Sequence, residues 1–231
     1  MSETLRIQSA LKVRLTEKPT LDMTWKYRLS LQKYNLSCEI AAIRIIMETI
    51  TKKVISEDEI FSHLPTFPGE KKWDIWGDPD MYFVWDIHGK QSKMTGFWVY
   101  ALPLHNFLKK KWITSWIYDI FDGRNISPSE RLTTTLSSLD NWYHVMLWGD
   151  YCTLTSFEDG IIPYTDTYVS KFLGIASVNR CNQSSEKRKL IWQTPEGKDI
   201  VALSGEHAFV LLGYFWDITN PTDIIVWDKI G

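Results

Sequence analysis

Four side chains of this sequence, Gln32, Cys38, His207 and Asp228, are of the types that acyl transfer through a thiol needs. Cys38 stands in Gln32-Lys33-Tyr34-Asn35-Leu36-Ser37-Cys38-Glu39-Ile40-Ala41-Ala42, where an apolar helix begins. A thiol reacts as its thiolate, and the unpaired N–H groups of a helix start stabilise negative charge, so Cys38 is a candidate nucleophile. His207, in Ser204-Gly205-Glu206-His207-Ala208-Phe209-Val210, lies at the mouth of an apolar strand and is the candidate base. Asp228 closes the run Ile224-Ile225-Val226-Trp227-Asp228 and is the candidate to orient that base. The separation of His207 and Asp228 suits two antiparallel strands and a turn, which would bring both to one spatial end. The Gln32 amide and the Cys38 N–H together form a candidate oxyanion site.

Each residue also has a plainer reading. A cysteine among Ile and Ala is most often a small buried hydrophobe. A histidine ahead of a buried strand is usually a structural hydrogen-bonder, and an aspartate late in a chain is usually a turn residue or a solvated charge. Only their joint presence points to catalysis.

The elements that must position them follow from periodicity. Residues 1–30 alternate apolar and polar side chains, as in Leu11-Lys12-Val13-Arg14-Leu15, and read as an arm or edge strands preceding a domain over 31–231. Ile43, Ile46, Met47 and Ile50 continue a helical stripe from Cys38, with Ser37 or Asn35 as cap. Ser56-Glu57-Asp58-Glu59 is a capping-box pattern that predicts a short helix ended at Leu64-Pro65. From Pro68 to Gly96 neither period holds, so a long ordered loop is expected. Leu102 to Leu108 and the stretch after Ser127-Pro128-Ser129-Glu130 predict two more helices. Thereafter Trp142–Trp148, Ile200–Leu203, Phe209–Tyr214 and Ile224–Trp227 are short β-rich runs. Helices followed by strands argue for an α+β fold, a helical N-terminal half packed against a mostly antiparallel C-terminal sheet, with a cleft between them.

Composition narrows the function classes. The 231 residues carry a formal net charge of −2 with no basic run longer than Lys109-Lys110-Lys111, so no nucleic-acid partner is expected. No segment has the roughly 20 apolar residues of a membrane span, and the N-terminus lacks a signal-peptide core. A cytoplasmic location is therefore expected, or an exported one if the sequence is a fragment. Three cysteines allow at most a Cys152–Cys181 pair, which leaves Cys38 free. Neither C-x-x-C nor H-x-x-x-H spacing, a G-x-S-x-G elbow nor a phosphate loop is present, so no metal and no cofactor is expected. Nothing in the sequence sets an oligomeric state.

These residues resemble the peptidase C39-like branch of the papain-like cysteine peptidases, the bacterial branch related to bacteriocin-processing domains. The likeness runs through Gln-x-x-Asn-Leu-Ser-Cys-Glu-x-x-Ala at Gln32 to Ala42, Trp76-Gly77-Asp78-Pro79-Asp80, Thr95-Gly96-Phe97-Trp98-Val99-Tyr100 and Gly205-Glu206-His207-Ala208. It implies a papain-like fold with Cys38 as nucleophile, His207 as general base, Asp228 as orienter and Gln32 as oxyanion donor. By the same resemblance Trp76, Asp78, Trp98 and Glu206 are candidate contacts to a peptide or amide substrate. Lys229 stands where the family usually has proline, and Trp98 where it usually has a small residue. That aromatic crowding suits an alternative, a peptide-binding module without turnover, and the residues do not separate hydrolysis from transfer to an amine.

Overall fold

The thiol-bearing helix forms as its apolar spacing predicts. In a computed structural model of the chain, which describes residues 7–14, 32–119, 128–141, 143–150, 155–161, 168–177, 185–217 and 220–227, α1 spans Cys38–Thr51 and buries Ile40, Ile43, Ile46 and Met47. It stops at Lys52, whose left-handed φ of 58° lets its N–H close on the Glu48 carbonyl. The second helix, α2 (Glu57–His63), starts at Ser56, whose Oγ accepts the Glu59 N–H at 3.0 Å. Glu59 does not complete a capping box, because its carboxylate lies 3.3 Å from Lys111 Nζ. Two further helices, α3 (Ala101–Lys110) and α4 (Pro128–Asp140), fall where proline and the leucine spacing place them.

The main sheet has seven antiparallel strands among the described residues. They are β1 (Ile7–Arg14), β5 (Ser115–Asp119), β6 (Tyr143–Asp150), β7 (Thr155–Ile161), β8 (Tyr168–Ser177), β11 (Glu206–Asp217) and β12 (Asn220–Trp227), in the order β5-β1-β6-β11-β12-β8-β7. Two small sheets complete the set: β2 (Thr66–Phe67), β3 (Phe83–Trp85) and β4 (Gly96–Phe97) in one, β9 (Lys189–Gln193) and β10 (Asp199–Leu203) in the other. The helices and antiparallel sheet together make the α+β class expected from the sequence.

Two local expectations change. The segment 7–14 is flanked by β5 and β6 on both sides and is therefore an interior strand. With β5 also drawn into the sheet, the helical half contributes strands, so the order helices-then-sheet holds only in part. The expected loop over 68–96 carries β3 and a 3-10 turn at Gln91–Lys93. Pairing partners far away in sequence decide these short strands, and local periodicity carries no trace of such partners.

The site is positioned by one packing relation. Ala208, Val210 and Leu212 of β11, with Met146 and Trp148 of β6, share a continuous core with the apolar face of α1. The β6–β11 register sets Ala208 opposite Trp148 and Val210 opposite Met146. Strand alternation sends Phe209 and Leu211 to the other face, while α4 packs on β6 and β11. No described helix is long and apolar enough to cross a membrane.

Candidate active site

Cys38 is the first residue of α1 and is 3% exposed. Its sulfur accepts backbone N–H groups from Glu39 and from Ala208. The Ala208 nitrogen is two covalent bonds, about 2.4 Å, from the His207 Cα, so this hydrogen bond joins the start of α1 to the strand that carries His207. The thiol itself donates to Glu39 Oε2 at 3.1 Å. Burial, followed by the charge of Glu39, pushes the Cys38 thiol well above its ordinary range, against the smaller opposing effect of the two N–H donors.

Glu39 is the residue that reading by residue type missed. Its carboxyl is fully buried, with Oε2 on the thiol and Oε1 accepting the Val99 N–H at 3.0 Å. Burial raises it to about 7, while those hydrogen bonds and the charge of His207 pull it the other way. The available signal was a carboxylate set within an otherwise apolar helix face, directly after the cysteine.

His207 is the second residue of β11, and its ring stacks edge-on against Phe209 with centroids 4.9 Å apart. The strand starts from a turn at Gly205, whose φ of 98° belongs to glycine. The neighbouring β12 runs antiparallel to β11 with Val210 opposite Trp227. Asp228 lies outside the described residues, as do Cys152 and Cys181. Gln32 lies ahead of α1 with its amide turned into its own loop, donating to the Tyr34 carbonyl at 2.7 Å and the Asn35 carbonyl at 3.4 Å. The structure thus brings Cys38, Glu39 and His207 into one electrostatic unit, with Gln32 on the loop that leads into it.

The four candidate substrate contacts occupy a packed shell. Trp76 is fully buried, with its indole N–H on the Gly69 carbonyl and its ring against Trp192. Trp98 is buried against Phe97, and its Nε1 meets no hydrogen-bond partner among the described residues. Asp78 accepts from Lys198 Nζ at 2.9 Å. Buried Glu206 accepts the Tyr100 hydroxyl at 2.8 Å and the Leu203 N–H at 3.2 Å, while the Gln91 side chain accepts the Gly205 N–H at 2.8 Å. Glu206 therefore anchors the turn that launches His207. A groove of about 710 Å³ lies elsewhere, lined by residues such as Leu64, Tyr82, Leu102 and Phe107. No cluster of three metal-ligating side chains occurs among the described residues.

No family model matches the sequence, and no curated protein matches it. Among solved structures the chain is similar to a Bacillus anthracis protein provisionally described as a C39-like peptidase. The identity is 17% and the TM-score 0.48, over 88% of this chain and 78% of that one. At that level of likeness, the reading of the site stands on its own geometry.

Proposed function

We propose that this chain is a thiol hydrolase of the papain-like type that cleaves a peptide or other amide through an acyl-enzyme on Cys38. The observation that carries this reading is the bond from the Ala208 N–H to the Cys38 sulfur, which sets the thiol beside the backbone of His207. In this mechanism His207 takes the thiol proton, the thiolate attacks the amide carbonyl, and the imidazolium returns the proton to the leaving amine. Water then attacks the thioester, with His207 again as base. The Cys38 N–H at the start of α1 and the Gln32 amide, once turned from its loop carbonyls, would receive the oxyanion. Asp228 would orient the His207 ring. Trp76, Asp78, Trp98 and Glu206 would shape the substrate side from behind, through the packed shell they share.

The test is labelling of the full chain with a peptidyl acyloxymethyl ketone, alongside cleavage of a mixed peptide pool. The wild type should be labelled at Cys38 and should cleave; Cys38→Ala should do neither. Cleavage that survives Cys38→Ala, or labelling confined to Cys152 and Cys181, would overturn the reading. One observation favours a second reading, peptide binding without turnover: the thiol is enclosed and held as S–H by Glu39. Saturable peptide binding without cleavage, unchanged in Cys38→Ala, would establish it.

A further inference from the structure

Glu39 has no part in the mechanism above, yet it touches the nucleophile directly. A carboxyl group this deep inside a protein is held there by specific bonds, and its two oxygens are used separately, one on the Cys38 thiol and one on the Val99 N–H. The Val99 bond comes from the segment between β4 and α3, so the carboxyl is fixed by an element other than its own helix. The titratable groups that act on it are Cys38 from α1 and His207 from β11, and the segment before α3 contributes the backbone N–H.

We propose that Glu39 is a positioning residue that holds the Cys38 sulfur as a neutral, oriented S–H, so that the nucleophile forms when His207 takes the proton out of that bond. The inference rests on Cys38 being the nucleophile. In the step, Sγ loses its proton to the imidazole and becomes the thiolate, His207 becomes imidazolium, and Glu39 keeps its own protonation state. An ionised Glu39 opposes the thiolate by charge; the imidazolium offsets it. Glu39 thus links thiolate formation to the presence of the base.

Glu39→Gln removes the charge, and the amide oxygen still accepts the Val99 N–H. The ultraviolet absorbance of the thiolate, taken as a difference against the matching Cys38→Ala chain, gives the titration midpoint of Cys38 whether or not the protein turns over. The midpoint should fall by about one unit in Glu39→Gln. Alkylation by iodoacetamide at neutral pH should then rise only about threefold, because a tenfold gain in thiolate is partly cancelled by its lower nucleophilicity. An unchanged or raised midpoint would overturn the inference, even if Cys38 proves to be the nucleophile in labelling. Should Glu39→Gln fail to fold, the infrared carbonyl stretch of protonated Glu39 supplies the same information from the Cys38→Ser chain: the band should titrate near pH 7 in the wild type and move in Cys38→Ser. A band indifferent to that change would overturn it. Loss of cleavage together with a lowered midpoint would support Glu39 as placed here; absence of cleavage in the wild type would count against the hydrolase reading alone.

Discussion

Ser37 Oγ donates a 2.6 Å hydrogen bond to Glu57 Oε2, tying the residue before Cys38 to the first turn of α2. The same carboxylate accepts the Lys33 N–H at 3.0 Å on both oxygens and lies 3.2 Å from Arg44. Glu57 is buried, so it fixes the loop between Gln32 and Cys38 from beneath. Glu57→Ala should cost about 3–5 kcal/mol in urea unfolding, since it strips a buried charge from several donors at once. Chains that remain folded should also show a changed rate of Cys38 alkylation. A loss below about 1 kcal/mol would mean that the loop is held by other means.

The role proposed for His207 gives the second expectation. His207→Ala should lower peptide cleavage by about 10²- to 10⁴-fold, the usual worth of a positioned general base. Thermal unfolding should shift far less, because His207 is only partly buried at the strand start. Equal activity of His207→Ala and wild type would remove His207 from the mechanism.

Stability should depend on pH through Glu39. Its carboxyl is raised from 4.5 to about 7 in the folded chain, so the folded state holds a proton that the unfolded state has released across that window. The associated stability is full below pH 4.5 and is lost as pH rises through about 7. The loss is on the order of 3 kcal/mol. Urea midpoints of the wild type, measured against Glu39→Gln from pH 4 to 8, should show the gap closing or reversing as pH falls. A gap constant with pH would contradict the placement of Glu39.

Besides the backbone bonds that Gln193 makes to Asp74 and Trp76, two side chains of unequal worth join the hairpin of β9 and β10 to the 74–80 segment. Trp192 is buried against Trp76 and Phe97 and donates its indole N–H to the Gly77 carbonyl at 2.8 Å. Lys198 bridges Asp78 and Asp80 at 2.9 and 2.8 Å from a half-exposed position. Trp192→Ala should cost about 3–5 kcal/mol and Lys198→Ala about 1 kcal/mol or less. Chemical denaturation of the two variants decides, and comparable losses would show the ion pair to be stronger than surface pairs are.

Gly96 sits where the chain returns from the 86–95 loop to β4. A Cβ there would collide with the Asp86 carbonyl oxygen and with Leu36 Cδ1. Gly96→Ala should cost about 1–3 kcal/mol by overpacking and displace Leu36, two residues before Cys38. A folded variant with unaltered stability and labelling would contradict that close approach.

Parts of this architecture were legible in the sequence for physical reasons. Helix α1, the Ser56 cap and the strand after His207 announce themselves through spacing and end chemistry, which are local. The places of β1 and β5 depend on partners far along the chain and leave no such mark. Cys38 and His207 were singled out by residue type as candidates, and the structure brings the Cys38 sulfur to the amide that follows His207. Glu39 escaped because a carboxylate beside a cysteine reads as solvated until burial is known. Gln91 and Tyr100 escaped because side chains that steady a turn from a distant loop follow no spacing rule.

Strand β1 lies between β5 and β6, and β6 in turn receives β11. A growing chain therefore makes β1 long before either neighbour of that strand exists. The Cys38 sulfur, translated early, gains its Ala208 donor only after residue 208 has been made and docked on β6. Long-range closure of this kind is slow relative to helix formation. The order of synthesis thus keeps the Cys38 thiol apart from the His207 segment until the sheet is assembled, so that the surroundings of this sulfur are completed late.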